Sequence, residues 1–191
     1  LVLIFLGEQF RETFESHQCI FLSSDNHSGI GEFSGQSLNE PQTIVSAMES
    51  WHAHGLLAFT INMQGGSPLG DGNKGWINSA IDTTGELRAD YMTRLERILD
   101  RANELGMVVI LGLFYNGQED LLNGETAVVN GVDHTIDWLF EKNYRHVIIE
   151  VNNECNLKYR HDILGPERVP EVVERIKSKT QHGYRYLVGT S

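Results

Sequence analysis

Two carboxylates with two amides between them close a short apolar run within residues 146–156, HVIIEVNNECN. Val147, Ile148, Ile149 and Val151 are β-branched and apolar, the pattern of a strand covered on both faces. Side chains alternate along a strand, so Glu150, Asn152 and Glu154 fall on one side. A carboxylate in such a run is costly unless it is paired or hydrogen-bonded. Two of them with amides between suggest a site, and parallel strands of α/β enzymes keep their chemistry at this end. The plainer alternative is a strand leaving its sheet, with Glu150 a structural acid held by an arginine or by amides.

Other side chains with chemical potential are scattered. Trp76, Phe114 and Tyr115 fall in loops after strands, where flat rings either meet a ligand or simply pack. Tyr115 has polar neighbours in Asn116 and Gln118, and Gln64 lies just past the second expected strand. Cys155 adjoins Glu154 and reads as a small filler rather than a nucleophile, with no histidine near it in sequence. His52 and His54 end a helix, where positive charge suits the dipole. Asp71-Gly-Asn73 is too short for a calcium loop. The two cysteines, Cys19 and Cys155, build neither a disulfide framework nor a zinc site. The expectation is no metal and no cofactor.

These groups must be positioned by a regular alternation of elements. Helices are expected over 41–54, 87–105 and 126–142, with another opened by Pro166. Strands are expected at 57–63, 108–114, 147–154 and from Tyr186 onward, so a strand recurs about every 40 residues. Polar loops run from Gln64 to about Gly85 and after the 108–114 strand. Alternating strand and helix calls for a parallel sheet with right-handed crossovers, hence a (β/α)8 barrel or a doubly wound sheet. The glycines at 29, 31 and 35 loosely resemble a dinucleotide loop, but a polar run precedes them and Pro41 follows, so the strand–turn–helix context is missing.

The chain has 191 residues, of which 40% are hydrophobic and 21% charged, an ordinary composition for about one domain. Its net charge of −11 would repel nucleic acid and anionic lipid, so neither is an expected partner. The apolar start, residues 1–6, is too short to span a bilayer and lacks the flanks of a signal peptide. Residues 1–36 fit the pattern worst and form a poorly defined N-terminal segment, with a partial barrel domain over 37–191. A complete barrel needs about 250 residues, so the stop in mid-strand reads as a fragment holding about the first half.

The segment 149–154 resembles the fourth barrel strand of the retaining glycoside hydrolases that include family 5, the cellulase-like enzymes. There an Asn-Glu pair ends the strand, and an acid four residues earlier is common. Here the pair is Asn153-Glu154 and the earlier acid is Glu150. Residues 106–114 look like the third strand, 91–105 like the helix before it, and 56–68 like the second strand and its loop. The resemblance covers about residues 40–191.

That resemblance implies an incomplete TIM barrel and an oligo- or polysaccharide substrate. Glu154 would be the general acid/base, protonating the departing glycosidic oxygen and then activating water. This role needs a carboxyl still protonated near neutral pH, through burial or a neighbouring carboxylate. Glu150 would be such a neighbour, or a structural acid paired with an arginine. Asn153 would bind the hydroxyl next to the reacting carbon, Gln64 would bind another hydroxyl, and Tyr115 beside Asn116 and Gln118 would be the best sugar platform, with Trp76 a further aromatic contact. In a regular strand Asn153 would point away from Glu154, so the strand must break there. The nucleophile would be a glutamate on the seventh strand, beyond Ser191. Asp120 and Glu119 sit in a loop on the correct face without the family's nucleophile pattern. Departures from the family are Cys155 in place of proline, no arginine around Asn62-Met-Gln64, and no histidine around Phe114-Tyr-Asn116. Secretion is expected by analogy with polysaccharide-degrading relatives. The alternative reading is a non-catalytic carbohydrate-binding barrel, and a lyase or isomerase on the same fold is a third.

Overall fold

The computed structural model describes residues 20–21, 41–65 and 79–191. Five strands, β1 (Ile20–Phe21), β2 (Ala58–Asn62), β3 (Val108–Phe114), β4 (Val147–Asn152) and β5 (Leu187–Gly189), lie side by side in chain order, and every pairing is parallel. Helices α1 (Pro41–Ala53), α2 (Ala89–Glu104), α3 (Glu125–Glu141) and α4 (Val169–Ser178) alternate with them. A doubly wound sheet reverses its strand order at a switch point. This sheet has no reversal, so it is the wall of an incomplete (β/α)8 barrel. β1 lies inside the 1–36 segment, and its two residues join the same sheet.

Burial on the outer face sets the register. Phe59 and Ile61 of β2, Val109, Leu111 and Leu113 of β3, and Ile149 and Val151 of β4 share one core with the helices. On α2 the stripe Tyr91, Leu95, Ile98, Leu99 and Ala102 is fully buried. Each large aliphatic side chain so buried contributes roughly 1.5–3 kcal/mol, far more than differences in helix propensity. Gly106 ends the turn after this helix with φ +69°, a conformation that glycine adopts without penalty.

Element ends depart slightly from expectation. The last helix begins at Val169, not at Pro166, because residues 165–168 form a turn in which Arg168 and Val169 N–H both donate to the Gly165 carbonyl. Pro170 then occupies the first helical turn, where a missing N–H costs nothing. β4 stops at Asn152 and not at Glu154.

The residues between the outward-facing ones line the inner face in levels. Thr60, Ile110, Ile148 and Leu187 share one level, and Asn62, Gly112, Glu150 and Gly189 share the next, nearer the strand ends. A Cβ on Gly112 would lie 1.9 Å from Asn62 Oδ1, so the glycine leaves the space in which the Asn62 amide sits. Gly112→Ala should therefore destabilise the protein by about 1–3 kcal/mol in urea unfolding. Adding Asn62→Ala should recover much of that loss, because the two positions share one space. An unchanged unfolding midpoint for Gly112→Ala would contradict this packing.

Candidate active site

The chain turns sharply where β4 ends. Glu154 has φ +51°, a left-handed conformation that costs a residue with a Cβ roughly 1–2 kcal/mol. The turn breaks the strand's alternation, and Asn153 Nδ2 reaches Glu154 Oε2 at 3.3 Å. The two side chains that a regular strand would hold apart are thus brought together.

Neighbouring strands hold this turn. Glu154 N–H donates to Ser191 Oγ at 3.0 Å and Cys155 N–H to the Ser191 carbonyl at 2.7 Å. Asn153 N–H donates to the Phe114 carbonyl at 3.2 Å, and the buried Tyr159 hydroxyl donates to the Asn153 carbonyl. Thr190 Oγ1 bonds both the Asn152 carbonyl (3.0 Å) and Asn152 Oδ1 (2.7 Å), while Asn152 Nδ2 donates to the Leu164 carbonyl at 2.9 Å. The end of β5 is therefore the clamp on the end of β4. Glu154 itself is exposed, so of the two expected influences, burial and a neighbouring carboxylate, burial is absent among the described residues.

Glu150 sits one level below on the inner face, half-buried. Burial pushes its carboxyl above the usual carboxylate range, while a hydrogen bond with the Ser191 side chain pulls the other way. The expectation that Glu150 pairs with an arginine is corrected: among the described residues its hydrogen-bond partner is Ser191, which also receives the Glu154 N–H. The reason is spatial. The second-strand position that faces Glu150 across Gly112 is Asn62, not a base.

The other sequence candidates fare differently. Gln64 is buried with both ends of its amide used, Nε2 donating to Ser79 Oγ at 3.1 Å and Oε1 accepting from Tyr115 N–H at 3.2 Å. It straps the loop after β2 to the loop after β3. Tyr115 is only 8% exposed, which leaves little ring face for a sugar. Asn116 Nδ2 donates to the Lys158 carbonyl at 2.8 Å, joining the loops after β3 and β4. Trp76 lies outside the described residues. No group of three or more metal-type ligands occurs among the described residues, and no described helix is long and apolar enough to cross a membrane. A cavity of about 400 Å³ lies within the loop after β4, bounded by Leu157, Tyr159, Asp162 and Arg168 among others, and includes none of these candidates.

Sequence reasoning missed the role of Glu119. It is fully buried, and its two carboxyl oxygens accept the Gly117 N–H (2.6 Å) and the Arg160 N–H (2.9 Å). Its carbonyl also contacts His161 Nε2 at 3.0 Å. Burial, reinforced by Asp120, pushes its carboxyl upward, while the two backbone donors lower it. Glu119 is thus a latch between the two loops that carry Tyr115 and Glu154. A carboxyl inside an otherwise polar loop segment gave no signal of this.

No protein-family profile matches the chain, and no curated protein does. Solved structures do match. A GH5-4 broad specificity endoglucanase from Ruminococcus flavefaciens superposes with a TM-score of 0.51 at 15% identity, covering 75% of this chain and 43% of that one. A GH5-4 broad specificity endoglucanase from an uncultured bovine rumen ciliate gives a TM-score of 0.53 at 15% identity, covering 84% of this chain and 46% of that one. The fold is glycoside hydrolase family 5-like. This chain spans less than half the length of either enzyme.

Two outcomes follow from the buried acids. Glu119→Ala strips the buried Gly117 N–H of its acceptor, at about 1–3 kcal/mol, and the part-buried Arg160 N–H of its own at a smaller cost. Hydrogen exchange should accelerate in both the 115–121 and 153–165 loops, and acceleration in one loop alone would disprove the latch. Glu150 has a folded-state pKa raised above the 4.5 of an ordinary glutamate. The folded state therefore holds this proton more tightly than the unfolded one, and the resulting stability is lost as pH rises through the folded pKa. Glu150→Gln should gain in Tm relative to the unaltered protein as pH rises from about 4.5 to neutral, since the amide has no charge to bury. Parallel Tm–pH curves would count against it.

Proposed function

We propose that this chain carries the acid/base half of a retaining glycoside hydrolase site that acts on a β-glycan. The observation that carries this reading is the Asn153–Glu154 pair, turned to one side at the C-terminal end of β4, in a barrel fold shared with two endoglucanases. Chemistry in barrels sits at that end of the strands. Glu154, exposed at the mouth, protonates the departing glycosidic oxygen, and the resulting carboxylate then takes a proton from the incoming water. Asn153 binds the hydroxyl adjacent to the reacting carbon. Retention also needs a nucleophilic carboxylate about 5 Å away. Glu119, buried with both oxygens engaged, is not available for that role. The nucleophile is expected on a later strand, beyond Ser191.

The exposure of Glu154 favours one second reading, a non-catalytic carbohydrate-binding barrel. The two readings part on leaving-group dependence. In the full-length protein, Glu154→Gln should cut hydrolysis of substrates with poor leaving groups by roughly 10²–10⁴-fold. It should cost much less on activated aryl glycosides, whose leaving group needs little protonation. Equal losses on both substrate types would remove the acid role, and an unaltered protein that binds but never cleaves would establish the second reading.

A further inference from the structure

Asn62 is buried, at 1% exposure, and neither the nitrogen nor the oxygen of its amide has a hydrogen-bond partner. A buried amide left unmatched carries its full desolvation penalty, so a partner other than the described residues is implied. The amide is poorly placed to turn away and find one. The Asn62 carbonyl accepts the Tyr91 hydroxyl at 2.8 Å, and the next residue, Met63, donates its N–H to the Gly112 carbonyl at 2.7 Å. The side chain itself fills the space above Gly112, where Glu150 Oε2 also lies 3.3 Å from the position a Cβ would take. Gly189 stands at the same level on β5, and a Cβ there would meet nothing within 4 Å, so this level of the inner face is open on the β5 side. Asn62 is the last residue of β2, at the end of the sheet that carries Glu154. Among the described residues the other buried polar atoms without partners are Nδ1 of His146, at the opposite end of β4, and Nε and Nη2 of Arg94, on α2. Both side chains make bonds through their other nitrogens, whereas the Asn62 amide makes none.

The geometry points to Asn62 as a ligand-binding residue on the floor of the site, its Nδ2 donating to and its Oδ1 accepting from the hydroxyls of a sugar ring. An amide offers a donor and an acceptor without charge, which matches a neutral polyol. The Glu150 carboxyl beside it disfavours an anion. This assignment rests on the carbohydrate reading above and names a second residue, on another strand, through which that reading is tested.

The experiment measures the affinity of the full-length protein for cellotetraose and its monodeoxy analogues, with and without Asn62→Leu. A site built to bond a hydroxyl rejects the analogue that lacks it. The unaltered protein should bind one deoxy analogue at least tenfold more weakly than the parent sugar. Asn62→Leu should weaken binding of the parent at least tenfold and abolish that discrimination. If Asn62→Leu does not fold, Asn62→Ala serves for the same comparison. Unchanged affinity and an unchanged ranking of the analogues would overturn the assignment and leave water or a later strand of the barrel as the amide's partner. In that case, cleavage of cellotetraose that Glu154→Gln suppresses would leave the hydrolase reading standing. Failure of the unaltered protein to bind any of these sugars would overturn both.

Discussion

Burial of every second residue of the central strands beneath the helices is the constraint on which the other features depend. With Phe59, Ile61, Val109, Leu111, Ile149 and Val151 committed to the outer core, each strand is held in register to within one residue, because a slip of one would turn its apolar set inward. The inner face then receives whatever lies between. That is how Asn62, Gly112, Glu150 and Gly189, far apart in sequence, reach one level. Their polar groups are held there by the packing of residues that never touch the site.

At the strand ends the controlling interactions change from packing to hydrogen bonding. The left-handed Glu154 would be unfavourable by itself, and Ser191, Thr190, Phe114 and Tyr159 hold the segment around it from three directions. The clamp runs through backbone groups, so it fixes the direction of the chain more than the position of the Glu154 carboxyl. An exposed acid on a rigid turn is suited to meeting a ligand that arrives from solvent. The buried Glu119 is its opposite. Its oxygens are occupied by the protein, and its work is to hold two loops together.

The polar groups of the inner face also differ in how they are satisfied. Gln64 and Asn152 have their amides fully engaged with neighbouring loops. Asn62 has none of these contacts, although it is equally buried. Gln64 and Asn152 stand next to loops that can fold back on them, whereas Asn62 faces a glycine and a carboxyl.

Much of the architecture was legible in the residue order. Apolar runs of β-branched residues bounded by glycines identified four of the five strands, and the stripe on α2 identified its helix, because burial periodicity is a local property of sequence. The two-residue β1 was not legible, since so short a strand has no period to read. The Asn153–Glu154 pair was visible, and so was the need for a break between its two side chains, because alternation follows from strand geometry alone. Which hydrogen bonds make that break was not visible. Ser191 and Thr190 lie 37 and 38 residues from the groups they hold, and only the pairing of β4 with β5 brings them there. For the same reason sequence could offer Gln64 and Tyr115 as sugar contacts, while the fold turned one into a strap and buried the other. The sequence by itself determined the alternation of elements and the acid at the end of β4. Only the tertiary structure decided which polar groups are paired within the protein and which are left unpaired, because a hydrogen-bond partner is set by distance in space.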